Sequence, residues 1–202
     1  MRGFDESATL LATSLCCDEV NRPLEREFTK SFGENFNLGG LAGFPFSGVT
    51  GFQAMMAHIP DGPSVGGSGG GDGSCLVVYG SHCGVDADGN VGKINRRGKS
   101  KPSSCCGSAV AAANFYLSGD GGRRSESQIQ SELKRLERLD AQQAYVNRML
   151  RPHVEQLSKA DDAMVELPYC IFEEQDKAMR EIVSVCLEGG GGGGGKVSTT
   201  VA

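Results

Sequence analysis

The sequence predicts an α/β domain, with a mostly parallel or mixed central sheet flanked by helices, on three observations. Cys75-Leu-Val-Val-Tyr-Gly80 is a continuous apolar run of strand length, the pattern of a strand buried in a sheet. Ser103 to Tyr116 reads as a helix of small residues with serine near its start, and Ser125 to Leu157 carries a long helical period. Helices and strands thus alternate without an internal repeat, and 202 residues suit one domain with a core of its own.

In chain order, a first helix is expected from Glu6 to Phe28, broken near Pro23, because proline removes a donor and clashes in a helix interior. Phe32 to Phe52 holds six glycines and five phenylalanines and reads as a structured loop lining a pocket, glycine allowing close approach and phenylalanine building apolar walls. Gln53 to Ile59 forms a short helix or a strand, ended by Pro60-Asp61-Gly62, and residues 62–74 form a flexible Gly- and Ser-rich insertion. Asp86-Ala-Asp-Gly-Asn90 is a turn leading a hairpin into Val91 to Asn95. In the long helical stretch the period rests on Ile129, Leu133, Leu136, Tyr145 and Met149, with Glu132, Lys134, Arg135, Glu137 and Arg138 on a wet face. Val165 to Phe172 reads as a strand that Pro168 places at an edge, and Asp176 to Leu187 as a final helix. The domain spans residues 5–187, and residues 188–202 form a disordered Gly-rich tail.

Composition removes several functions. A net charge of −5 gives no electrostatic reason to seek nucleic acid or an acidic membrane surface. The longest mildly apolar run, Ser108 to Leu117, is far shorter than the ~18 residues that span a bilayer, and no signal or transit peptide is visible after Met1. The eight cysteines include two adjacent pairs, Cys16-Cys17 and Cys105-Cys106, which seldom bridge each other. A reducing compartment is expected, with most thiols packed as small apolar groups and a few recruited to a metal.

Three motifs carry little. Asp86-Ala-Asp88-Gly89-Asn90 has its glycine fourth where an EF-hand needs it sixth, with no glutamate twelfth. The glycine runs lack the Lys-Ser or Lys-Thr of a P-loop. Lys93 to Lys101 holds five positive residues in nine and reads as a solvated loop. A stronger constellation joins Cys16 or Cys17, His82, and Cys105 or Cys106, the thiolate and imidazole set of a catalytic zinc with three protein ligands. His82 follows the Cys75 to Tyr79 strand, where α/β sites gather, and Cys106 opens a helix whose dipole stabilises a thiolate. A thiol redox pair at Cys16-Cys17 is the weaker competitor.

Three blocks of sequence bear on these alternatives: Cys16-Cys-Asp-Glu-Val-Asn-Arg22, Gly43-Phe-Pro-Phe-Ser-Gly-Val-Thr-Gly-Phe52 with Ala57-His-Ile-Pro-Asp61, and Gly80-Ser-His-Cys-Gly-Val-Asp86 continuing to Cys106-Gly107. Together they resemble the limiting-CO2-inducible protein B/C family of algae, whose fold is similar to β-carbonic anhydrases. The resemblance covers roughly residues 5 to 187.

It implies a zinc held by Cys16, His82 and Cys106, since Asp18 stands two residues after Cys16 and Gly107 follows Cys106, as in the β-class pattern. It implies reversible hydration of CO2 to bicarbonate in an algal CO2-concentrating mechanism, or else a catalytically inactive zinc-bearing subunit that binds inorganic carbon or a scaffold. The implied partners are a second copy or a related chain, and the implied location is the chloroplast stroma. Asp18 would orient the attacking water and Arg22 would hold Asp18, although the β-class arginine position is Val20 here; on its own, Asp18–Arg22 reads as an ordinary helix ion pair. Phe44, Phe46 and Phe52 are the expected apolar wall beside the metal. His58, His153 and the remaining cysteines are expected to be structural.

Overall fold

The computed structural model describes residues 6–62, 71–118 and 124–189. Its strands are β1 (Thr9–Ser14), β2 (Asn35–Asn37), β3 (Asp61–Gly62), β4 (Gly71–Asp72), β5 (Ser74–Tyr79), β6 (Lys93–Ile94) and β7 (Ser103–Ser104). Its helices are α1 (Arg22–Phe32), α2 (Gly48–Met56), α3 (Gly107–Leu117), α4 (Glu126–Leu139), α5 (Ala141–Leu150), α6 (Val154–Lys159) and α7 (Ala163–Gly189). β2, β1 and β5 form a parallel sheet with β1 in the middle. The expected α/β class with a parallel central sheet is what the chain adopts.

The first expectation to fall is the helix over Glu6 to Phe28. Thr9–Ser14 is instead the central strand, buried at every position but Leu10. With both faces covered, Thr9-Leu-Leu-Ala-Thr-Ser14 shows no strict alternation, so its period cannot be told from that of a buried helix. Pro23 begins α1 rather than breaking it, because a proline in the first turn gives up an N–H that has no partner inside the helix. Phe32 to Phe52 is not one loop: it supplies β2, a 3-10 turn over Leu41–Gly43 and most of α2, which continues through Gln53.

One core cluster joins Ala12, Leu38, Phe52, Met55, Met179 and Cys186, with Leu10, Cys75, Val77 and Tyr79 packed against it, so α2 and the later half of α7 cover one face of the sheet. A second cluster joins Cys16, Phe44, Ala109, Ala112, Ala113, Val146, Leu150, Leu167 and Ile171. It ties the end of β1 to α3, α5 and the start of α7. β5 is less buried than its composition suggests: all six of its residues are half-buried, and among the described residues it pairs with β1 alone.

The long helical stretch breaks at Asp140, whose side chain accepts from Gln143 N at 3.0 Å and caps α5, and again at Pro152, in a 3-10 turn over Arg151–His153. Val165 to Phe172 is helical, the first third of the 27-residue α7, with Pro168 in its second turn. An apolar run with one proline fits an edge strand by local pattern, but packing against α3 and α6 decides for helix. The turn at 86–90 is present, closed by a Val85–Val91 bridge, while β6 pairs with β7. The expected 62–74 insertion begins and ends in paired β3 and β4, with residues 63–70 outside the described residues. Glu188 and Gly189 still belong to α7, and the rest of the expected tail lies outside the described residues.

Candidate metal centre

Cys16 leaves the carboxyl end of β1, His82 follows β5 by three residues, and Cys106 follows β7 and caps α3. Parallel β1 and β5 bring their carboxyl ends to one edge of the sheet, which is why residues 66 positions apart can meet, and the separate β6–β7 pair leads Cys106 to the same place. The Cys16 and Cys106 sulfurs are 3.5 Å apart, and the donor atoms of Cys16, His82 and Cys106 all lie within 4.8 Å of one another. His82 Nδ1 lies 3.5 Å from Cys105 Sγ, while His82 Nε2 is buried without a hydrogen-bond partner. A buried imidazole nitrogen left unpaired is costly, and a metal ion would satisfy it.

The frame under these donors is polar and tightly bonded. Gln175 of α7, fully buried, donates through Nε2 to Ser14 O at 3.0 Å and also to Gly43 O, and Ser14 Oγ donates to Gly43 O at 2.9 Å. Gly43 has φ +80°, and a Cβ there would lie 2.8 Å from both Gly80 O and Gln175 Nε2. Only glycine lets the chain pass between the ends of β1 and β5. Asn21 Nδ2 donates to Cys16 O at 2.9 Å, and Ser81 Oγ donates to Pro168 O at 2.7 Å, fixing the backbone of Cys16 and the residue before His82.

The two sulfurs shift each other's acidity in opposite directions. The adjacent Cys106 sulfur and burial push the Cys16 thiol up to about 12, whereas the hydrogen bond from Cys16, aided by the Ala109 and Ser108 N–H groups at the start of α3, lowers Cys106. Cys106 is thus the more acidic thiol of the pair, as its place at a helix N-terminus favours. Burial, with the nearby Asp18 charge, pushes Cys105 up to about 11.

Asp18 does reach the site, lying within 4.8 Å of His82 and Cys105 by its donor atoms. Its partner is not Arg22. Arg96 Nη1 and Nη2 donate to the two carboxylate oxygens of Asp18 at 3.1 and 3.0 Å, and Arg96 Nε donates to Ser103 Oγ at 2.8 Å. Arg22, at the first position of α1, turns to Glu25 one turn along the same helix. Arg96 comes from the basic segment expected to be a solvated loop. The β6–β7 pairing carries that segment past Asp18 and Cys105, a placement that has no local signal.

Of the three phenylalanines, Phe44 and Phe46 share the cluster of Cys16 and Cys106 and pack edge-on with each other and with Tyr145. Phe52 lies in the other cluster, against the sheet, and is no wall of this site. The walls that the sequence reading missed are Ala109 and Val110 of α3 and Met164, Leu167, Pro168 and Ile171 of α7, around a cavity beside His82, Cys105 and Cys106. It offers about 10 Å³ to the centre of a water-sized sphere, room for about one water. The helical period of α7 would have pointed to these residues had Pro168 not been read as an edge-strand mark.

Fold and site together define an α/β protein whose strand ends gather two thiols, an imidazole and a carboxylate, donors suited to a borderline-soft divalent metal. The family model of limiting CO2-inducible proteins B/C, beta carbonic anhydrases, matches residues 1–192. The chain belongs to that carbonic anhydrase-like family. A crystal structure of PtLCIB4, a homologue of the limiting CO2-inducible protein LCIB, is similar at TM-score 0.73 and 46% identity, over 91% of this chain and 68% of that one. A histidine-to-alanine mutant of PtLCIB4 is similar at TM-score 0.74 and 46% identity, over 91% and 67%. LCIB itself shares the fold at TM-score 0.61 and 21% identity, over 91% and 68%. No curated protein matches the chain.

Proposed function

We propose that this chain is a zinc-dependent carbonic anhydrase that hydrates CO2 reversibly to bicarbonate. The observation that carries the reading is the convergence of Cys16, His82 and Cys106, with His82 Nε2 buried and unpaired. Two thiolates and one imidazole suit zinc and leave a coordination position for water. Zinc, when bound, supplies the Lewis acidity that brings the pKa of water near neutrality.

The chain's own residues do the rest. Arg96 holds Asp18 by a charge-assisted pair of hydrogen bonds beside the donors, where the carboxylate can accept a hydrogen bond from the attacking water and orient it. Val110, Leu167 and Ile171 offer the entering molecule no hydrogen bond, which suits apolar CO2 better than charged bicarbonate. Phe44 and Phe46 back this pocket through the shared core rather than touching its contents.

A second reading, a zinc-bearing subunit without activity, is favoured by the small cavity and by Asp18 standing close enough to the donors to occupy the open position itself. Stopped-flow CO2 hydration by the zinc-loaded protein, with Cys106→Ser as control, separates the two. A zinc-dependent rate that Cys106→Ser abolishes supports the anhydrase, and bound zinc with no rate above buffer supports the inactive subunit.

Assembly with a second copy or a related chain is part of the proposal. The half-buried apolar residues Leu76 and Val78 on the outer strand β5, with exposed Val165 and Tyr169 on α7, are surface that a partner would cover. Light scattering on the purified chain tests it: a dimer mass agrees, and a monomer points to the related chain. Work in the chloroplast stroma, within a CO2-concentrating mechanism, is a further part of the proposal, supported by family membership alone and tested by imaging a fluorescent fusion of the protein.

A further inference from the structure

The zinc reading leaves one side of His82 to be explained. A metal-ligating imidazole binds through one nitrogen, and the group that accepts from its other N–H fixes ring orientation and tautomer; carboxylates, backbone carbonyls and water are the usual acceptors. Here the nearby carboxylate, Asp18, is held by other donors. Both oxygens of Asp18 accept from Arg96, and Oδ1 also accepts from Val20 N at 3.4 Å. What faces His82 Nδ1 is the sulfur of Cys105, at 3.5 Å. Cys105 is 1% exposed and its backbone is held on both sides, its N donating to Gly92 O at 3.0 Å and its O accepting from Gly84 N at 3.3 Å. A Cβ on Gly84 would lie 2.8 Å from Cys105 Cβ, so the Gly84 backbone packs directly against this side chain.

We infer that Cys105 is a positioning residue for the metal centre: its sulfur accepts the Nδ1–H hydrogen bond of His82 and so presents Nε2, as a lone pair, to the point shared with Cys16 and Cys106. The opposite tautomer would put an N–H on Nε2, in a buried place where that nitrogen has no partner. It would also leave no lone pair for a metal on that side. The adjacent cysteines 105 and 106 then have different tasks, one binding and one aiming a binder. Sulfur is a weak acceptor, so His82 in this chain is steered by shape and a soft contact rather than by a charge.

The inference rests on the zinc reading, and its test separates the two. Zinc affinity is measured by chelator competition for the parent, Cys105→Ala and Cys105→Ser, with cobalt(II) absorption as a report on the ligand field. Cys105→Ala is expected to bind about 10- to 100-fold more weakly, with an altered cobalt spectrum. Cys105→Ser, which keeps an acceptor, should recover most of that affinity. Unchanged affinity in Cys105→Ala, or a Ser variant as weak as the Ala variant, overturns the role of Cys105 while leaving the zinc reading standing; a parent that binds no zinc overturns both. Should the variants not fold, long-range 1H–15N correlation on the histidines of the zinc-loaded parent decides: His82 protonated on Nδ1 supports the inference, and protonation on Nε2 refutes it.

Discussion

Replacing Arg96 by alanine tests the site's electrostatic frame against the competing assignment of Arg22. Arg96 makes two hydrogen bonds to Asp18, one to Ser103 and a further ion pair with Glu19. Its side chain is 21% exposed and that of Asp18 is 11% exposed. Breaking a fully buried pair costs about 3–5 kcal/mol, because a charge is left unpaired. Water reaches part of this one, so about 2 kcal/mol is the expected loss. With a urea slope of about 2 kcal/mol/M, the unfolding midpoint of Arg96→Ala should fall by about 1 M. Arg22 is 47% exposed and pairs only within its helix, so Arg22→Ala should cost no more than about 1 kcal/mol. CO2 hydration should follow the same order, falling by on the order of 10- to 100-fold in Arg96→Ala, because Asp18 loses its orientation. An Arg96→Ala protein as stable and active as the parent, or an Arg22→Ala protein that loses more, would refute the reasoning.

Raised thiol and phenol groups set a direction for pH. Burial and neighbouring groups push Cys75, Cys105 and Cys170 from 9.0 to about 11, Cys16 from 9.0 to about 12 and Tyr79 from 10.0 to about 12. The unfolded chain gives up these protons first as pH rises, so their contribution is complete below pH 9 and is lost between about pH 9 and 12. Calorimetry of the metal-free protein should show Tm falling steadily above pH 9, and a flat profile would contradict the assignments. Gln175→Leu removes both donors from Ser14 O and Gly43 O and should cost about 2–4 kcal/mol in a urea titration, a neutral result being the contrary one. Gly43→Ala should be at least as damaging, since its Cβ would press on Gly80 O at 2.8 Å from a φ of +80°; an expressed protein with parental stability would count against this reading of the crossing.

How legible these features were in the sequence depended on whether the signal was local. The strand at 74–79 and the helix at 107–117 follow from short apolar patterns, and Cys16, His82 and Cys106 from donor chemistry joined to family resemblance. β1 was misread because Ala8 to Leu15, buried on both faces, shows neither a period of 2 nor one of 3.6. The start of α7 was misread because Pro168 sits early in a long helix, where the neighbouring helices hold it. Arg96 is 78 residues from Asp18, brought there by the β6–β7 hairpin, and nothing in Lys93 to Lys101 distinguishes it from Arg97 beside it. Phe52 was placed beside the metal by its neighbours in sequence, although α2 carries it beneath the sheet. Composition and resemblance pick residues that the fold brings together, Cys16, His82 and Cys106, but not the partner of Asp18, because a partner is chosen by topology.

What Cys16, His82 and Cys106 hold decides the chemistry proposed for this chain. X-ray absorption at the zinc edge of the purified protein tests it most directly. The expected result is one zinc per chain with two sulfurs at about 2.3 Å and one imidazole nitrogen at about 2.0–2.1 Å, the fourth position filled by oxygen. A protein without zinc, or a zinc shell with no sulfur, would contradict it.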